Sequence, residues 1–146
     1  MYKLPEKFTG LDADLIGADE FKTLCYSLQG LSLLSVHSVE EYEYPKNYYV
    51  AKVSDESGRF EIYFNCYVGT IGFGNAAMEA IVFISKPGIE AALSAINSKY
   101  VVVPVDMLSS QAVKESLSGL CLIEAKEVYR WLPSTIGELL FSWYFD

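Results

Sequence analysis

Arg59-Phe60-Glu61-Ile62-Tyr63-Phe64-Asn65-Cys66-Tyr67-Val68 is the most clearly patterned stretch of the chain. Phe60, Ile62, Phe64, Cys66 and Val68 fall on one face, and Glu61, Tyr63, Asn65 and Tyr67 on the other. A period of two is the pattern of a β-strand with one face on a core. A slip of one residue would turn every apolar side chain to water, so the pattern also fixes the register. Upstream, Asp55-Glu56-Ser57-Gly58 reads as a turn and Tyr48–Ser54 as a second short strand. Before that, Leu31–Tyr44 is rich in Leu, Val and Tyr and stops ahead of Pro45-Lys46-Asn47. These three segments predict an antiparallel meander with one face on the core.

Helical patterns flank the meander. Ala18–Gln29 carries Phe21, Leu24, Cys25 and Leu28 at helical spacing, with Asp19 and Glu20 at its positive end and Gly30 as a stop. Downstream, Gly69–Asn75 reads as a glycine-rich loop. Ala76–Ser85 opens like a helix but ends Ile-Val-Phe-Ile, and reads as a strand from about Glu79. Pro87 suits the first turn of a helix through Asn97, with Ile89, Ala92, Leu93 and Ile96 inward. Tyr100–Val105 is extended, and Asp106 caps a helix reaching about Leu117. Leu120–Trp131 reads as extended, although Glu124–Arg130 is also compatible with helix. Pro133 breaks it, and Ser134 or Thr135 caps a last helix through about Trp143, with Glu138 in its first turn. The expected fold is α+β: residues 1–146 as a single domain, an antiparallel meander packed against several helices.

Composition narrows the function. Of 146 residues, 51% are hydrophobic, enough for a real core. Nineteen acids against 11 bases leave a net charge of −8, which argues against direct binding to nucleic acid or anionic membranes. No signal peptide and no membrane-length apolar run is visible, so the cytoplasm is the expected compartment. Cys25, Cys66 and Cys121 are widely spaced and have apolar or aromatic neighbours. They are expected to be reduced core thiols, with no disulfide, metal or cofactor. His37, the one histidine, lies in a strand-like run, and no Gly-x-Ser-x-Gly elbow accompanies it. The Gly69-Thr70-Ile71-Gly72-Phe73-Gly74 run has neither the Rossmann order nor a P-loop Lys. Nothing here points to catalysis. Acids instead recur beside the meander: Glu40, Glu41, Glu43, Asp55, Glu56 and Glu61. Tyr42, Tyr44, Tyr48, Tyr49, Tyr63 and Tyr67 are interleaved with them, and tyrosine is enriched at protein interfaces. Glu40, Glu41, Glu43, Asp55, Glu56, Glu61 and Tyr63 are therefore the candidate partner-binding residues.

The segment from Tyr129 to Asp146 contains Trp131, Pro133, Ile136, Gly137, Glu138, Phe141 and Asp146 in a spaced pattern. It resembles a Trp-x-Pro-x-x-(Val/Ile)-Gly-(Glu/Asp)-x-x-Phe-Asn-x-Trp-Asp ending found in small bacterial proteins. Some of these are immunity proteins of contact-dependent inhibition and other polymorphic toxin systems. Ser142 and Phe145 depart from the pattern, standing where Asn and Trp are usual. The resemblance implies a non-enzymatic protein that neutralises a cognate toxin domain by binding it, often a basic nuclease. It also implies that Trp131 and Phe141 are buried anchors of the last helix. Two other readings stay open: an acidic secretion chaperone, and a small ligand-binding domain or enzyme with Gly69–Asn75 at its mouth. The sequence leaves the oligomeric state open.

Overall fold

The alternating stretch lies at the centre of a sheet. The computed structural model describes residues 1–77 and 80–145. In chain order the elements are α1 (Ala18–Gly30), β1 (Ser35–Val39), β2 (Tyr48–Asp55), β3 (Gly58–Asn65), β4 (Thr70–Ala77), β5 (Ala80–Ile84), α2 (Pro87–Ile96), β6 (Val101–Val102), α3 (Val105–Leu108), a 3-10 turn (Lys114–Leu117), α4 (Leu122–Tyr129) and α5 (Ile136–Leu140). β1 to β5 form an antiparallel meander in sequence order, and the short β6 pairs parallel to the start of β4. The expected α+β class holds, in one compact domain. Glu79, the expected start of β5, lies outside the described residues, as does Asp146. Among the described residues no helix is long and apolar enough to cross a membrane.

The sheet is covered on both faces, not one. Phe60, Ile62 and Phe64 of β3 pack with Tyr49, Ala51 and Val53 of β2 and with Ile71 and Phe73 of β4. α1 covers this side with Phe21, Leu24, Cys25 and Leu28, and α2 with Ile89 and Leu93. Each fully buried Phe here contributes about 1.5–3 kcal/mol by leaving water. The opposite face carries a second core. There Val50 and Tyr63 meet Leu4 and Phe8 of the N-terminal segment, Leu108, Val128, and Ile136, Leu139, Leu140 and Phe141 of the C-terminal segments. β3 ends at Asn65, so the alternation stops there: Cys66 stays with the first core, while Val68 packs against the second.

Gly69–Asn75 is not a loop, because β4 runs through it. Gly72 and Gly74 are what the second core requires of that strand. A Cβ on Gly72 would lie 2.9 Å from Cε2 of Phe141 and 3.0 Å from Cδ1 of Leu108, and one on Gly74 would lie 2.7 Å from the Val82 carbonyl oxygen, 2.9 Å from Cγ2 of Ile81 and 3.2 Å from Cε2 of Tyr63. Bare backbone lets the aromatic rings sit directly on the strand.

Other elements are shorter than their patterns predict. Leu31–Tyr44 yields only β1, with a bulge between Val36 and Ser38. The helix expected from Asp106 to Leu117 is interrupted after Leu108, and Asp106 lies within α3 rather than capping it. Gln111 bridges Thr135, Ala112 N–H donates to Ser134 at 2.7 Å, and Ile136 N–H donates to Ser110 at 2.9 Å. These backbone bonds to the segment before α5 replace helical ones. Leu122–Tyr129 is helical rather than extended, because Glu124 and Val128, one turn apart, both point inward. α5 ends at Leu140, short of Trp143. Its start is as expected: Thr135 Oγ1 accepts from Glu138 N–H at 3.1 Å, and Glu138 Oε1 accepts from Thr135 N–H at 3.0 Å.

Candidate partner-binding surface

The candidate residues separate into three places. Glu40, Glu43 and Glu61 gather around Tyr48. Its phenol is held above its ordinary value by burial first, then by the charges of Glu61, Glu40 and Glu43. Glu40 pairs with Lys52 at 3.5 Å and Glu43 with Lys46 at 3.6 Å, and the Lys46 ammonium lies 5.7 Å from the Tyr48 ring centre. Glu61, half-buried on β3, accepts from the Tyr63 hydroxyl at 3.1 Å. Glu41 turns away to α1, where it pairs with Lys22 at 3.3 Å. Asp55 and Glu56 sit at the far hairpin. Asp55 accepts from Lys86 at 2.8 Å and from the Ser57 hydroxyl at 2.6 Å. The Lys86 hydrogen bond, followed by those of Ser57, holds the Asp55 carboxyl below its usual range.

Tyr63 requires a correction. Only 1% of it is exposed, because the second core covers the face that alternation had assigned to water. Burial, reinforced by Glu61, drives its phenol strongly upward, and it offers no surface to a partner. Tyr49 is buried too, with its hydroxyl donating to Ile16 at 2.6 Å. Tyr42 and Tyr67 are half-buried against the first core. Trp131 also departs from expectation. It is 39% exposed and stacks on Tyr144 at 4.2 Å between ring centres, whereas Phe141 is buried as expected.

Beside the Tyr48 cluster runs a cleft of about 480 Å³. One wall is the outermost strand β5, with Ala80, Ile81, Val82 and Phe83. The other is Glu138, Phe141, Trp143 and Tyr144. Trp143 is 63% exposed and meets Tyr144 edge-on at 5.9 Å. The Tyr144 phenol is raised by burial and then by Glu138. α5 comes this close to β5 because residue 137 is glycine, whose missing side chain leaves room for the Phe83 ring. Sequence reasoning missed this wall. The uncharged Ala-Ile-Val-Phe-Ile run was its legible signal, whereas the exposure of Trp143 is seen in the structure alone.

Elsewhere, a more open hollow of about 770 Å³ lies between α1, the β2–β3 hairpin and the start of α2, but Lys86 there is already bonded to Asp55 and Ser57. His37 is exposed at the β1 bulge, with Nε2 2.8 Å from Ser54 Oγ. Among the described residues no three His, Cys, Asp or Glu side chains group to hold a metal ion. Cys25 and Cys66 are buried, while Cys121 is exposed at the start of α4 and is not a core thiol. The buried Glu124, also missed, is absorbed by the fold: its carboxylate accepts from Lys7 N–H at 2.8 Å and from Thr9 N–H at 3.3 Å. Comparison with protein-family models, curated proteins and solved structures finds no match to the chain.

Proposed function

We propose that this chain is a non-enzymatic immunity protein that binds and masks a basic toxin domain in the cytoplasm. The observation that carries the reading is the aromatic cleft with acids beside it: Glu138 lines it next to Trp143 and Tyr144, and Tyr48, which also lines it, feels the charges of Glu61, Glu40 and Glu43. Rings supply desolvated contact area, and carboxylates supply steering and selectivity for cations. The net charge of −8 extends that attraction beyond contact range at low salt. The resemblance of the segment ending in Asp146 supports the same reading.

The test is to look beside this gene for one encoding a secreted toxin, and to coexpress this chain with that protein's toxin domain. Growth should be restored, and purified toxin domain should associate more slowly as salt rises. Glu40→Lys with Glu43→Lys should cut the association rate at least tenfold without lowering the melting temperature, because these pairs are exposed and exposed pairs contribute little stability. Glu56→Lys, at the distant hairpin, is the control. Unrelieved growth arrest, or no such toxin in the neighbourhood, overturns the reading.

A further inference from the structure

Sheet edges in natural proteins are ordinarily blunted by charge, proline or bulges, because their free N–H and C=O groups invite pairing. β1 follows that rule: it is bulged at His37 and runs into Glu40 and Glu41. β5 does not. Its residues Ala80-Ile81-Val82-Phe83-Ile84 include neither charge nor proline, and among the described residues it pairs only with β4. Alternate residues of an antiparallel edge strand turn their N–H and C=O groups outward. Val82 is 56% exposed, and Ala80 is exposed as well. The cleft with Glu138, Trp143 and Tyr144 lies alongside.

We propose that β5 takes an extended segment of a basic partner as an added strand, whose cationic side chains meet Glu138 and the Trp143 and Tyr144 rings. This deepens the immunity reading and rests on it. Main-chain bonds to β5 would give affinity, and alternate side chains would give selectivity. Charge decides the occupant. A second copy would bring another −8 and a second Glu138 to the same edge. An Arg- or Lys-bearing strand would gain both the carboxylate and the ring faces. The five residues of β5 set the length of the added strand at a similar value.

The probe is a capped octapeptide of alternating Arg and Val, compared with one of alternating Glu and Val. The Arg peptide should bind saturably, shift the amide resonances of residues 80–84 and the Trp143 indole, and slow hydrogen exchange along β5. The Glu peptide should do none of this. Val82→Lys should weaken binding at least tenfold while leaving the circular dichroism unchanged, and Ala80→Lys serves if that variant does not fold. Shifts confined to Glu41, Asp55 or Glu56 overturn the edge proposal, as does absence of binding at millimolar peptide. The immunity reading is judged separately by coexpression with the toxin. A concentration-dependent dimer that Val82→Lys abolishes also overturns the edge proposal, in favour of a second copy.

Discussion

Asn65 shows how much one side chain can organise. Its amide donates to the carbonyls of Phe8, at 3.1 Å, and Leu140, at 2.8 Å, while its oxygen accepts from the N–H groups of Tyr67 and Val68. Asn47 does the same from β2's approach, donating to Phe8 and Leu139 and accepting from Ser142. The cysteines differ as sharply from one another. Burial pushes the thiols of Cys25 and Cys66 from 9.0 up to about 12, whereas Cys121 is exposed. A thiol reagent should therefore modify one cysteine rapidly in the native protein and the other two only after denaturation. The same burial sets a pH limit. Buried groups with raised values keep their protons in the folded state and lose them first in the unfolded chain. Stability should thus stay level up to about pH 9 and fall as pH rises toward 12, with Tyr49, also pushed to about 12, adding to the loss. Thermal melts across that range check it, and a flat profile would mean that these groups are hydrated. Alternation in the sequence told which way Tyr63 and Asn65 point. It carried no information on whether another layer waited there, because the covering residues are far away in the chain.

At the scale of elements, the legible parts were those with local causes. The caps of α5, the helical spacing of α1 and the proline start of α2 are all fixed by neighbours within a few residues. β4 was not legible, since glycine in a strand looks like a turn until the ring of Phe141 is known to lie against it. The interruption after α3 was hidden for the same reason, its bonds running to Ser134 and Ile136. The C-terminal pattern treats Trp131 and Phe141 alike, but the structure separates them. Phe141→Ala should cost about 3–5 kcal/mol, from lost burial plus the cavity between Tyr48, Tyr63 and Phe83. Trp131→Ala should cost less than Phe141→Ala, because 39% of Trp131 is already exposed; its stack on Tyr144 adds about 0.5–1.5 kcal/mol to the area it buries. Urea unfolding of the two variants checks this, and equal losses would put Trp131 back in the core.

For the whole molecule, the two cores share β2, β3 and β4 as a common wall, so neither helical layer can be lost alone without uncovering apolar sheet. Deleting residues 133–146 removes Ile136, Leu139, Leu140, Phe141 and Phe145 from the second core, together with the Leu139 and Leu140 carbonyls that accept from Asn47 and Asn65. The truncated chain should lack a cooperative melt, and a wild-type melting curve would mean that the first core is self-sufficient. The expected α+β class was readable from strand and helix periodicity. The sandwiching of the sheet was not, because it depends on pairings such as Lys7 with Glu124, 117 residues apart. That separation orders events in time. The first core draws its buried members from residues 21–93, whereas the second waits for residues 103–145. At a synthesis rate of about 5–20 residues per second, the stretch from residue 93 to residue 145 takes roughly 3–10 s to make, and until it is added the second core has Leu4 and Phe8 but lacks its C-terminal members. During that interval much of the apolar surface around Tyr63 and Val50 is open to water, and the growing chain is a client for whatever shields such surface.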